Sequence, residues 1–316
     1  MAGTVDIVIV NWNAGVLLAA CLDSLAAADR SVIARIVVVD NGSIDGSADL
    51  EMPGLPLQII RTGENLGFGR ACNLGAAQGD SDYILLLNPD TEVDRDAIST
   101  AAAYLDDPRH ADIGVVGIRL VDRQGMAQRH CARFPTPRTF LAESLGLTHL
   151  FPQRFKPMLM LDFDHLKTRD VDHVMGAFYC IRRSLFETLG GFDPAYFVYL
   201  EDLDLSRRVT RTGARIRYLA QPRAFHHQGG TSEQIKARRL HYSLAGKLTY
   251  ARKHFGRGGA AAAWIAVLLI EPFTRSGLAL KRRSFAELRE TWQGILMLYR
   301  ALPALLRSSR PTQAAL

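Results

Sequence analysis

The run Ile84-Leu85-Leu86-Leu87 carries no polar residue and then breaks abruptly into Asn88-Pro89-Asp90. A strand that is apolar on both sides of its pleat has both faces covered, which in a chain of this length means helices above and below a largely parallel sheet. The polar triplet then falls at the strand's carboxyl end, where open α/β sheets place their ligands. Asp90 there offers a hard carboxylate oxygen to Mg²⁺ or Mn²⁺, cations that take one or two protein carboxylates and complete their shell from phosphates and water. A plain Asn-Pro turn is the competing reading of the same residues.

The neighbouring sequence repeats the pattern. Val5 to Val10, Ile36 to Val39, Leu57 to Ile60 and Ile113 to Val116 are further β-rich runs, and helical patterns over Val16 to Ala28, Gly69 to Ala77 and Ala97 to Leu105 separate them. Strand alternating with helix predicts a doubly covered parallel sheet. The first two runs end, like Ile84 to Leu87, in polar loops: Asn11-Trp12-Asn13 and Asp40-Asn41-Gly42-Ser43. Parallel strands would gather all three loops along one edge.

Each loop has a chemistry and a plainer alternative. Asp40 can accept the imide N–H of uracil or thymine, or it can cap a following helix with Ser43 or Asp45. Asn65 to Asn73, NLGFGRACN, is a glycine-bearing loop that runs into a helix, so backbone N–H groups and Arg70 can approach a diphosphate. It lacks the GK[ST] of a Walker loop, and no GxGxxG follows the first strand, which argues against a nicotinamide enzyme.

Taken together, VIVNWN, VVVDNGS, NLGFGRACNLGA and LLLNPDTEV resemble the nucleotide-sugar half of glycosyltransferase family 2, and within it the rhamnosyltransferase-like branch. The resemblance implies a GT-A fold, in which the Asp matching Asp40 reads the pyrimidine and the Asp matching Asp90 binds the metal on the diphosphate. Asn88 stands where the family's DxD motif begins with Asp, which leaves Asn88 to the ribose or a metal-bound water. The donor contacts implied are Asn11, Asn13, Asp40, Asn41, Asn65, Gly67, Phe68, Arg70, Asn73, Asn88 and Gly176. Further on, GGFDPAYFVYLEDLDLSRRV resembles the family's acceptor half. Its ED motif maps onto Glu201 and Asp202, with Asp202 the expected general base and Asp204 an ordinary helix residue; acidic residues in a first helical turn are otherwise common dipole partners. The segment Ala224 to Ser232 resembles the family's HxGGxS, which places one His near the metal or diphosphate, and His227 fits that spacing better than His226; a histidine pair in a loop is otherwise usually solvated.

Between these motifs, Leu120 to Arg133 predicts a hairpin turning at Asp122 to Gly125, and Phe140 to Thr168 shows no clear period and reads as a mobile or acceptor-facing insertion. The resulting division is a donor half over 1–118, an acceptor half over 119–232 and a helical region over 233–316.

The last region is chemically distinct. Glu233 to Leu316 holds 15 Lys and Arg against 4 Asp and Glu, a charge of +11; the whole chain is +6, so the remainder is −5. Gly258 to Ile270 is apolar and uncharged but shorter than the roughly 20 residues of a membrane-spanning helix. Ser284 to Leu302 opens with a capping-box pattern, Ser284 and Glu287, and repeats apolar residues at helical spacing amid Arg and Lys. A basic amphipathic helix suits an anionic membrane surface, or simply packing on its own domain. No nucleic-acid reading motif accompanies the charge. Four scattered cysteines without metal spacing read as free thiols, and the apolar stretch at the N-terminus is too short for a signal core, so the expected location is cytoplasmic, peripheral at the inner face of the membrane.

The expectation is an inverting transferase that moves a sugar, rhamnose best fitting the resemblance, from a dTDP or UDP donor to a cell-surface glycan or polyprenyl-linked acceptor with Mg²⁺ or Mn²⁺. The alternatives are a nucleotide-sugar-binding protein without turnover and a basic membrane-binding module on an α/β scaffold.

Overall fold

The computed structural model describes residues 3–227 and 236–307. The first elements are β1 (Val5–Asn11), α1 (Val16–Ala27), β2 (Ile33–Asp40), β3 (Leu57–Arg61), α2 (Phe68–Ala76), β4 (Tyr83–Leu87), β5 (Thr91–Val93), α3 (Ala97–Asp106) and β6 (Ile113–Val121). Then come β7 (Cys131–Ala132), α4 (Pro137–Ser144), α5 (Leu147–Leu150), β8 (Arg169–Val171), β9 (His173–Val174), β10 (Phe178–Arg182), α6 (Arg183–Thr188), α7 (Glu201–Arg211) and β11 (Arg215–His226). The chain ends in α8 (Lys236–His254), α9 (Arg257–Ile265), a π-helical turn (Ala266–Ile270), α10 (Glu271–Lys281) and α11 (Phe285–Arg307). Gln228 to Ser232 of the expected histidine–glycine loop lie outside the described residues. Two compact units result: 3–134, 158–194 and 201–227 form one, and 135–157, 195–200 and 236–307 the other.

In the first unit a nine-stranded sheet runs β3-β2-β1-β4-β10-β6-β11-β5, with β8 also paired to β11. The β3-β2-β1-β4 segment is wholly parallel, as the sequence pattern requires. β10 enters antiparallel between β4 and β6, so its first residue, Phe178, pairs with Leu87 at the carboxyl end of β4. That insertion brings the segment before β10 to the same edge as the Asn88 to Asp90 loop.

The apolar strands are explained by two cores. Val5, Ile7 and Ile9 of β1 pack with α1 and α3, while Val8 and Val10 pack on the other face with α2, α6 and α7. Gly75 of α2 is required by this closeness, since a Cβ there would lie 2.5 Å from Val8 Cγ1. At the amino ends of the strands, away from the polar loops, buried Arg183 donates to Asp6 at 2.7 Å and to the carbonyls of Ser81 and Ala76. Removing that guanidinium would strand a buried carboxylate, a loss of about 3–5 kcal/mol.

Two expectations are revised. The Leu120 to Arg133 hairpin turns at Asp122 to Gly125 as expected but is short: the Asp122 and Gln128 N–H groups donate to the carbonyls of Met126 and Leu120 on either side of the Val121–Ala127 bridge, and Cys131 and Ala132 pair with β9 instead. The first part of the supposed insertion is helical. Thr136 and Thr139 form a capping box with Pro137 in the first turn of α4, a signal present in TPRT. Phe140 of α4 is fully buried against Tyr250 and Phe255 in the second unit.

That second unit is all helical. Leu244 and Leu248 of α8, Val267 of the π-helical turn and Leu298 of α11 make its core, and Lys247 is buried between Glu143 and Glu271. The apolar helix is longer than the run Gly258 to Ile270, since helical structure continues from Arg257 to Lys281 through Pro272. Proline lacks an N–H and crowds the carbonyl four residues earlier, and the π turn just before it absorbs the conflict. The carbonyl concerned, that of Leu268, accepts instead from the Tyr299 hydroxyl at 2.6 Å. By length and composition this 25-residue helix is the one candidate membrane span among the described residues, and a third of its most apolar window is buried within the protein.

Candidate active site

The three polar loops do meet along one edge. Asn11 at the end of β1 is fully buried, and its amide reaches Asp40 Oδ1 at 3.1 Å, Ser43 Oγ at 3.1 Å and Ser47 Oγ at 2.8 Å. Asn13 accepts the Ile44 N–H, and its own N–H donates to Ser43 Oγ, so loop one is tied to loop two. Residues 41–56 contain no helix, and with nothing there to cap, that reading of Asp40 falls away. Asn41 then joins loop two to the glycine loop: its Oδ1 accepts the Leu66 N–H at 2.8 Å and its amide donates to Asn65 Oδ1. Asn65 Oδ1 also accepts the Gly67 N–H, where a φ of 86° requires glycine before α2.

Not every expected contact is free for a ligand. The Asn73 side chain is engaged in both directions with the backbone of Phe192, at 2.9 and 2.8 Å, and so anchors α2 to the Gly190–Phe192 turn. Exposed Arg70 reaches the Pro194 carbonyl at 3.2 Å. Phe68 packs edge-on against Phe192.

At the end of β4, the Asn88 N–H donates to the Ala177 carbonyl. One residue earlier, the Gly176 N–H donates to Asp202 Oδ2 at 3.1 Å, and Phe68 lies 3.8 Å from where a Gly176 Cβ would be. The segment 176–177 therefore joins the Asp90 loop, the glycine loop and the acidic start of α7. The three acids on α7 diverge. Asp202 is partly exposed, and its Oδ1 accepts the Leu203 N–H. Glu201 is buried with Oε2 unpartnered, and burial, then the charge of Asp202, raises its carboxyl well above the usual range. Asp204 is wholly buried and ion-paired to Arg208 at 2.8 Å.

Asp90 meets a histidine, but it is His226 rather than His227. In the β5–β11 ladder His226 pairs with Thr91, and its Nε2 lies 3.3 Å from Asp90 Oδ1; the His227 ring turns to Glu92 at 2.9 Å. Side chains alternate along a strand, so adjacent histidines face opposite ways. Gln128, which no sequence motif singles out, orients His226. Its amide nitrogen donates to the carbonyls of His226 and Val121, so its Oε1 is left to accept from His226 Nδ1 at 3.1 Å. A neutral His226 so held carries its proton on Nδ1 and turns an Nε2 lone pair toward a carboxylate oxygen. Two acceptors facing at 3.3 Å call for a cation or a proton between them.

Among the described residues no group of three or more His, Cys, Asp and Glu could hold a metal. Asp90 and His226 are two, one hard oxygen and one imidazole nitrogen, which fits Mn²⁺ or Mg²⁺ with the remaining positions left to phosphate and water. The field below this loop is anionic: the buried Cys21 thiol is pushed up by burial and further by the charges of Asp90 and Glu92.

Residues 6–190 match the family described as Glycosyl transferase family 2. The chain is 28% identical over 288 residues to the N-acetylglucosaminyl-diphospho-decaprenol L-rhamnosyltransferase of Mycobacterium tuberculosis, covering 84% of this chain and 89% of that one. Rhamnosyltransferase WbbL of Escherichia coli K12 is 29% identical over 206 residues, 60% of this chain and 75% of its own. Among solved structures, the mannosyltransferase PcManGT from Pyrobaculum calidifontis in complex with GDP-Man and Mn²⁺ superposes with a TM-score of 0.55 at 18% identity, over 98% of this chain and 89% of that one. TarS 1-349 of S. aureus in complex with UDP-GlcNAc gives 0.54 at 15% identity, over 98% and 93%. At these identities the structures share the fold.

Proposed function

The chain belongs to glycosyl transferase family 2 and is a glycosyltransferase of GT-A fold with rhamnosyltransferase relatives, and from that premise we propose that it is an inverting transferase of rhamnose. The donor in this reading is a pyrimidine-diphosphate sugar, dTDP or UDP, and the acceptor is a polyprenyl-linked glycan, the class named for the mycobacterial relative. The observation that carries the reading is the segment 176–177, which hydrogen-bonds the Asp90 loop through Ala177 and the Asp202 carboxylate through Gly176.

The roles follow from position. Asp40, held by Asn11, accepts the imide N–H of the base, and the Asn65 to Gly67 loop lets backbone N–H groups approach the diphosphate. Asp90 and His226 would hold Mg²⁺ or Mn²⁺, which neutralises charge on the departing diphosphate when bound. Asp202 takes the proton from the acceptor hydroxyl as that oxygen bonds the anomeric carbon; the bond from that carbon to the donor phosphate oxygen breaks, and its electron pair leaves with the nucleoside diphosphate. Attack opposite the leaving group inverts the anomeric centre. Glu201, buried beside Asp202 with its carboxyl raised by burial, is not the base in this reading.

The second unit supports a peripheral site at an anionic membrane surface. Ile265, Leu269, Phe273 and Leu280 are exposed along the continuous helix from Arg257 to Lys281, beside exposed Lys281, Arg282 and Arg283.

Nucleotide sugars should first be screened for those that raise the melting temperature with Mg²⁺ or Mn²⁺, because a ligand of the native state stabilises it by mass action. The selected donor is then offered to a polyprenyl diphosphate-linked N-acetylglucosamine, and the anomeric configuration of the product is read by NMR. A pyrimidine donor and an inverted linkage are expected. A retained linkage, or stabilisation by purine donors alone, would overturn the reading.

A further inference from the structure

Behind Asp202 lies a buried polar chain that the reaction as described leaves without a role. His173 of β9 is buried, and its Nε2 faces Asp202 Oδ2 at 3.5 Å. Its Nδ1 lies 2.9 Å from Ser206 Oγ, and Ser206 Oγ lies 3.1 Å from the Tyr179 hydroxyl. Ser206 and Tyr179 are wholly buried. Polar groups in such surroundings are costly unless they are mutually satisfied, so their alignment carries information.

The chain can run in two directions. In one, Tyr179 donates to Ser206, Ser206 donates to His173 Nδ1, and the ring proton sits on Nε2, directed at Asp202. In the other, Nδ1–H donates to Ser206, Ser206 donates to Tyr179, and a bare Nε2 lone pair opposes a carboxylate. An ionised Asp202 selects the first. Burial lowers the His173 pKa, against the opposing charges of Asp202 and Asp172, so the ring is neutral and its single proton is the one the chain places.

We propose that His173 is a positioning residue for the Asp202 carboxylate, its Nε2–H fixing the side-chain rotamer and favouring the ionised form that accepts the acceptor proton. This rests on the reading of Asp202 as the base. The 3.5 Å separation is long for a hydrogen bond, and catalytic contacts of this kind shorten when substrate binds. The other titratable groups nearby are accounted for. From α7, burial raises the Glu201 carboxyl and Asp204 is paired with Arg208; from α2, the Cys72 thiol is pushed up mainly by burial; Tyr179 of β10 is held up by burial; and Asp172 beside His173 is exposed.

The test measures kcat, donor KM and the pH profile of kcat for His173→Ala, His173→Gln and Ser206→Ala, with Asp202→Asn alongside. Removing a hydrogen bond to a charged group predicts a fall in kcat of about 10- to 100-fold in His173→Ala with donor KM unchanged. The acid limb of the profile should move to higher pH, because the ionised carboxylate has lost a donor. His173→Gln, which retains an N–H near the same place, should recover most of the loss, and Ser206→Ala should move the limb in the same direction by less. An unmoved acid limb in His173→Ala, with Gln no better than Ala, would reduce His173 to packing and overturn the proposal. Should His173→Ala fail to fold, Ser206→Ala decides, and a wild-type profile there overturns it equally. Wild-type kcat in Asp202→Asn would instead remove the base assignment, and the proposal with it.

Discussion

Glu201 and Asp202 are adjacent carboxylates with opposite surroundings, and the difference predicts opposite phenotypes. Successive side chains on a helix point about 100° apart, so one faces inward and the other outward. Asp202→Asn keeps the size of the side chain but cannot take a proton; kcat should fall by about 10²–10⁴ while the thermal shift produced by donor and metal survives. Glu201→Gln should keep kcat within about tenfold. Its signature belongs in stability instead. The folded-state pKa of Glu201 is raised, by burial first and by Asp202 second, so its contribution is full below the unfolded value of about 4.3 and is lost as pH rises through the folded value. Melting temperature measured against pH should therefore be flatter in Glu201→Gln than in the wild type. A dead Glu201→Gln beside an active Asp202→Asn would exchange the two assignments.

Among the elements, the end of β11 and the turn before β5 bring His226, and not His227, to Asp90, and the proposed metal role follows that contact. The loop spacing pointed to His227, but the rings of these adjacent residues face opposite ways: His226 lies against Asp90, in the turn before β5, and His227 against Glu92. His226→Ala should raise the Mn²⁺ concentration needed for half-maximal transfer by at least about tenfold, with Gln128→Leu showing part of that effect because it releases the ring. His227→Ala should leave the Mn²⁺ requirement near that of the wild type. The reverse order, measured by metal titration of activity and of the donor-dependent melting shift, would return the metal role to His227.

For the whole molecule the question is what the helical unit does. Truncating α11 would be a poor probe, since Leu298 fills the core formed with α8 and its removal would unfold what remains. Surface substitutions are cleaner. Lys281, Arg282 and Arg283 are exposed, and near an anionic bilayer each basic charge contributes about 1 kcal/mol. Replacing all three by Gln should weaken sedimentation with phosphatidylserine-containing vesicles by a factor on the order of 10² at low salt, and Phe273→Ser should weaken it independently of salt. Equal sedimentation of all variants would show that this surface does not meet the membrane.

The parallel strands were legible in the chain itself, because buried strands need uninterrupted apolar runs, and the family was legible in the ordered motifs that follow them. Asp40 and Asp90 were proposed from that local signal and Asp202 from the family resemblance. Gln128, His173 and Ser206 were not, since each acts on a partner that only folding brings near: Gln128 on His226, 98 residues away, and Ser206 on His173, 33 away. The same limit explains Asn73, whose motif reads as a ligand contact while its amide is spent on Phe192. Residue type and spacing determined which chemistry the chain can present. Helix phase, burial and contacts with distant segments decide which of two neighbouring side chains faces the loops of the site, because those depend on packing against segments far away in sequence.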